Sequence, residues 1–204
     1  MKSPWFTLAA ICALVLGIVL FCIVFGGYSS LLRSQNRIKA VKDRLVSQCQ
    51  DQLALVTELV DAAGPDTAPE QTAGLSAASG TATQLIDRIR ESEDPVAQAL
   101  ILSYGDSQAL LNRRITELVQ ALAESGNGDE TDLTALEKRL NETQAAIYIT
   151  GKRYNKEARY FNTRTRVFPV GIIARLFSLD KVYFSEITLD PPASAPGKEA
   201  ASAS

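Results

Sequence analysis

Histidine, the usual general base and the commonest transition-metal ligand, is absent from all 204 residues. The groups left to do chemistry are serines, lysines, carboxylates and three cysteines. Ser103, Ser107, Lys138 and Lys152 stand at no spacing that pairs a nucleophile with a base. The 23 Asp and Glu residues support hydrolytic chemistry only if some converge in a cleft, the remotest of the functions considered. Cys12 and Cys22 fall in an apolar run and Cys49 stands alone outside it, so no disulfide framework can be drawn. Gly26-Gly27 lacks both the preceding strand and the following Lys-Ser/Thr of a phosphate loop. Asn141, Asn155 and Asn162 repeat at multiples of seven. They fit either a buried polar ladder fixing helix register or a partner interface, or the half-exposed rim of a bundle, and the rim is favoured. The expectation is a chain without catalytic residues, cofactor or metal site.

The elements that position these residues begin with Trp5 to Phe25, an apolar run without one charged side chain. About 20 such residues cross a bilayer's hydrocarbon core, and in lipid the backbone must be helical. A cleaved signal peptide is the rival, but its apolar region runs about 7–15 residues and ends at a small-residue site. Here Gly26-Gly27-Tyr28-Ser29-Ser30 follows a longer run, and Phe21 before Cys22 fits lipoprotein processing poorly. An uncleaved anchor over residues 1–27 is expected. Lys2 precedes it, while Arg33, Arg37, Lys39, Lys42 and Arg44 follow, which places the amino terminus outside and the domain in the cytoplasm. Ala9, Ala13 and Gly17 form a small-residue ridge through which spans can pack together.

Beyond the anchor, helical spacing predicts a first amphipathic helix from Tyr28 to about Ala63, with Gly26-Gly27 as a possible hinge, along Leu31, Ile38, Leu45, Leu53, Val56, Leu59 and Val60. Residues 64–74 read as a loop on their two prolines. An Ala-rich second helix carries Leu75, Ala78, Ala82, Leu85 and Ile89, weakened by Gly80. Asp94 and Pro95 open a third helix along Leu100, Tyr104, Leu111, Ile115, Leu118 and Leu122, with Gly105 a soft spot. After a turn at 125–132, with Thr131 or Asp132 as cap, a fourth helix follows Leu133, Leu136, Leu140, Ile147, Tyr154, Ala158, Phe161 and Phe168 until Pro169. Residues 170–179 suggest a short amphipathic helix, and 190–204 a disordered tail. The expected fold is all-α: a single transmembrane helix, then an antiparallel up-and-down four-helix bundle over residues 28–189.

Several stretches resemble the LemA family of membrane-anchored bacterial proteins. Tyr28-Ser29-Ser30-Leu31-Leu32, Asn36-Arg37-Ile38-Lys39 and Leu55 to Val60 echo its first part. Arg153-Tyr154-Asn155, Phe161-Asn162, Phe168-Pro169 and Ala174-Arg175-Leu176-Phe177 are similar to its most distinctive stretch. Thr57-Glu58 stands where the family has Pro-Asn, and Gln144 and Gly151 where it has Glu and Arg, the pattern of a diverged member. The resemblance implies an N-out anchor with a cytoplasmic helical bundle at a bacterial inner membrane, and marks Asn36, Tyr154, Asn155, Asn162, Phe168 and Pro169 as motif residues. Some relatives belong to magnetosome membranes, which points toward membrane organisation.

In an up-and-down bundle the end of helix four returns to the bilayer beside the start of helix one. That end carries Lys152, Arg153, Lys156, Arg159, Arg164, Arg166, Arg175 and Lys181, while acidic residues gather at the opposite pole. Residues 167–177 then either lie in the lipid interface or simply cap the core. The expected membrane-proximal set is Arg33, Arg37, Lys39, Lys42, Arg44, Arg159, Arg164, Arg166, Phe168, Ile172, Ile173, Arg175 and Phe177. A formal net charge of −2 argues against nucleic acid as partner. The expected function is a non-enzymatic, membrane-anchored scaffold or adaptor. Its partners are an anionic leaflet and either a second copy or a membrane protein, with no small-molecule substrate. The alternative is a signalling or sensory module that transmits conformational change through the span.

Overall fold

The computed structural model describes residues 4–63, 69–91, 97–125, 130–179 and 182–191. They form α1 (Pro4–Ala63), α2 (Pro69–Glu91), α3 (Ala97–Ser125), α4 (Glu130–Arg164) and α5 (Val170–Leu176), then an extended segment over 182–191. No strand occurs among the described residues. The chain divides into two compact units, one of Met1–Ile38 with Glu157–Phe184, the other of Lys39–Lys156 with Ser185–Ser204. The Asp94-Pro95 helix start and residues 192–204 of the expected tail lie outside the described residues.

Helix α1 runs through Gly26 and Gly27 without a break, so there is no hinge there. A glycine inside a helix costs about 1 kcal/mol against alanine, too little to stop a helix with strong formers on both sides. The apolar part of α1 is long enough to cross a membrane, and none of it is buried inside the protein. In the first unit, Leu31, Ile38, Ala158, Phe161, Ile173 and Ala174 are buried. The Phe161 and Phe184 rings meet edge to face, 5.2 Å between centroids.

The second unit has a core to which four helices contribute. Leu55, Val56, Leu59 and Ala63 of α1 join Leu75, Ala78 and Ala82 of α2, Leu111, Ile115, Leu118 and Leu122 of α3, and Leu136 and Leu140 of α4. Fully burying one such leucine contributes about 1.5–3 kcal/mol relative to exposure. Helix α2 starts at Pro69, inside the segment expected to be loop. Proline at a first helical position lacks only a donor that would be unpaired there, and Glu70 complements the helix dipole. Its buried stripe passes through Ile86, while Leu85 is half-buried. Lys42 Nζ donates to the Ile89 carbonyl at 3.4 Å in the last turns of α2.

Helix α4 contains both Thr131 and Asp132, so neither caps it. It ends at Arg164, five residues before Pro169, and Phe168 is therefore off the seam and 78% exposed. The chain turns over Thr165–Pro169, where the Phe168–Pro169 bond is cis, and α5 is shorter than the expected 170–179.

Candidate functional site

In the first unit, α5 packs on α1 where the apolar run ends. The Ile173 side chain lies against Gly27, where a Cβ would meet its terminal methyl. The rings of Tyr28 and Phe177 lie 4.5 Å apart. Arg164 Nη1 donates to Ser30 Oγ at 2.9 Å and to the Tyr160 hydroxyl at 2.8 Å. Arg37 and half-buried Glu157 approach to 3.6 Å, a surface pair of the kind that contributes about 0–1 kcal/mol. Arg166 lies over the Tyr183 ring at 5.7 Å. With Gly171, Ile173 and Ala174 buried, α5 turns Ile172 and Leu176 outward, and Phe168 joins them from the turn before it.

The structure sorts the expected membrane-proximal residues. Arg33, Arg37, Arg159, Arg164, Arg166, Phe168, Ile172, Ile173, Arg175 and Phe177 belong to the first unit, whereas Lys39, Lys42 and Arg44 belong to the second. Ile173 is 4% exposed and serves as the peg on Gly27, so it cannot meet a bilayer. Leu176, 69% exposed, completes the apolar face and was absent from the expected set. The signal is in the sequence: Leu176 stands four residues past Ile172, the spacing that places both on one helical face.

In the second unit a polar chain crosses between α1 and α3. The Cys49 thiol and the Tyr104 hydroxyl are 2.5 Å apart, and Tyr104 donates to Gln108 Oε1 at 3.2 Å. Gln108 Nε2 donates to Gln52 Oε1, and Gln52 Nε2 donates to Asn112 Oδ1 at 2.9 Å. Burial pushes the Cys49 thiol up to about 12 and Tyr104 well above its ordinary value. A thiol held protonated in this way is neither a nucleophile nor a metal ligand. Beside it lies a void of about 20 Å³ bordered by Cys49, Tyr104, Tyr154 and Ile187, room for one water molecule and for no substrate. Sequence reading does not single out Gln52 or Gln108. Their positions three to four residues from Cys49, Val56, Tyr104 and Leu111 place them on the buried stripes.

The extended segment is held by asparagines. Asn155 pairs with both backbone groups of Ile187, donating to its carbonyl at 2.6 Å and accepting from its N–H at 2.7 Å. Asn162 does the same with Phe184, at 2.7 and 3.0 Å. They are therefore neither an interhelical ladder nor a bare rim; their amides stand in for a neighbouring strand. Asn141 is half-buried and Asn36 exposed, while Tyr154 is buried, its hydroxyl pushed up to about 12 by desolvation. An open groove between α2 and α3 gathers Glu70, Glu117 and Glu124 around Arg114. Hydrogen bonds from Arg113 and Arg114 hold the Glu117 carboxyl below its usual range, the opposite of what a general acid needs.

No curated protein and no solved structure matches the chain. The LemA family model matches residues 43–196, about three quarters of the sequence, and this span takes in Leu55–Val60, Tyr154-Asn155, Asn162 and Phe168-Pro169, though not Tyr28–Leu32 or Asn36–Lys39. The chain belongs to the LemA family.

Proposed function

We propose that this protein is a non-enzymatic, membrane-anchored helical scaffold or adaptor, with its amino terminus outside a bacterial cell membrane and its helical domain in the cytoplasm. The observation that carries the proposal is the continuity of α1: one helix joins an unburied apolar stretch long enough to span a bilayer to residues at the centre of the core, such as Val56 and Leu59. Contacts such as Arg37–Glu157 and Arg164–Ser30, in which α4 advances while α1 recedes, support an antiparallel up-and-down bundle.

Self-association through the span is the simplest scaffolding interaction, because Ala13 is exposed and a side chain at Gly17 would meet open space. The double substitution Ala13→Leu/Gly17→Leu is expected to convert an oligomer in mild detergent to monomer without altering the thermal unfolding of the domain. An oligomer unchanged by the substitution would move the interaction off this face; a wild-type monomer would leave a membrane-protein partner, sought by crosslinking in native membranes. The unbroken α1 also favours a second function, a sensory module that passes displacement of the span to the core. Ligand-dependent thermal stabilisation of the full chain would distinguish it.

A further inference from the structure

The exposed face of α5 is apolar where a soluble surface would be polar. Ile172 and Leu176 stand four residues apart on one face of α5, and Phe168 joins them from the turn before it; the three are 60%, 69% and 78% exposed. The opposite face is fastened to α1 at Gly27 and Tyr28, two and three residues past Phe25. At 1.5 Å per residue, that attachment lies about 3–5 Å beyond the last apolar residue of the run. Interfacial helices sit about 5–10 Å into the boundary between headgroups and acyl chains, so α5 is held at the depth where such helices lie. Eight Lys and Arg against two Asp and Glu give this unit a formal charge of +6, and Arg175 is exposed on α5 itself.

We propose that α5 is a second membrane contact, with Phe168, Ile172 and Leu176 seated in the interface of the leaflet from which α1 emerges and Arg175 among anionic headgroups. The proposal rests on α1 being a membrane span. Lipid rather than a second copy is the occupant, because the face adjoins the span and three side chains fall far short of the about 1,000 Å² of a specific protein interface. The contact fixes the tilt and rotation of the domain on the membrane, which a single tether leaves free.

Trp5 is the chain's one tryptophan, so a full-length Trp5→Phe background is silent. Into it go Phe168→Trp, Ile172→Trp or Leu176→Trp, with Phe21→Trp as a control in the span. Ile149→Trp, at a 65% exposed position of α4, is the aqueous control. In vesicles of neutral and anionic phospholipid, lipids brominated near the headgroup are expected to quench all three stripe positions as strongly as deeply brominated lipids quench Phe21→Trp. Ile149→Trp stays unquenched. Unquenched stripe positions beside a quenched Phe21→Trp would overturn the proposal while leaving the span intact. If acrylamide also failed to reach those stripe positions, the face would be covered by protein instead. Loss of quenching at Phe21→Trp as well would fail the span itself.

Discussion

Cys49 sits inside the second unit, its thiol against the Tyr104 hydroxyl, and nearby Tyr154 is 1% exposed. Desolvation raises both groups to about 12 from ordinary values of 9.0 and 10.0. Their protons are therefore held in the folded protein at pH values where the unfolded chain has released them. The resulting stability is complete below about pH 9 and is lost as pH rises toward about 12. Urea unfolding is expected to need less denaturant at about pH 10.5 than at about pH 8, and Tyr154→Phe to flatten part of that decline. Equal midpoints at both pH values would contradict it. Tyr154 as a core residue was legible from its place on the α4 stripe. Gln52 and Gln108 were not, because a glutamine at a stripe position reads as an interruption until its hydrogen-bond partner is known. Once buried, such a pair cannot be half removed, since an orphaned amide costs about 1–3 kcal/mol.

Among the elements, Gly80 and Gly105 looked alike in sequence, each a weak point in a helix. A Cβ at Gly80 would meet open space, whereas one at Gly105 would run into the Thr188 carbonyl of the extended segment. The two Gly→Ala substitutions should therefore differ in sign. Gly80→Ala is expected to stabilise by about 0.5–1 kcal/mol through lost backbone freedom in the unfolded chain. Gly105→Ala should destabilise and open the peptide bonds near Thr188 to proteolysis, because a backbone carbonyl cannot swing aside as a side-chain tip does. Stabilisation of both variants would show that the segment does not lie on α3. The same segment explains the seven-residue recurrence of Asn155 and Asn162. Seven residues of a helix rising 1.5 Å each and three of an extended chain rising about 3.3 Å each cover the same ~10 Å. Nothing in residues 182–191 announces this, since the backbone groups of Phe184 and Ile187 bond to side chains of α4.

Over the whole molecule, a net charge of −2 conceals an uneven division. The unit containing the apolar run holds eight basic and two acidic residues, and the other thirteen basic and twenty-one acidic, or +6 and −8. Basic residues following the span favour an inside domain, so an epitope before Trp5 should be reached by an impermeant antibody on intact spheroplasts. One after Ser204 should be reached only on permeabilisation, and the reverse pattern would invert the orientation. Sequence alone determined the helical class, the length of the apolar run, the family resemblance and most of the buried stripes. Each of these depends on periodicity or local composition along one element, and so is visible in one dimension. Tertiary structure decided that α1 is unbroken, that Phe168 leaves the seam to join Ile172 and Leu176, that Ile173 turns inward against Gly27, and that two asparagines hold the carboxy-terminal segment. The last two outcomes depend on which surface lies opposite a residue: Ile173 stands 146 positions from Gly27, and Asn162 and Asn155 stand 22 and 32 positions from the backbone groups they hold.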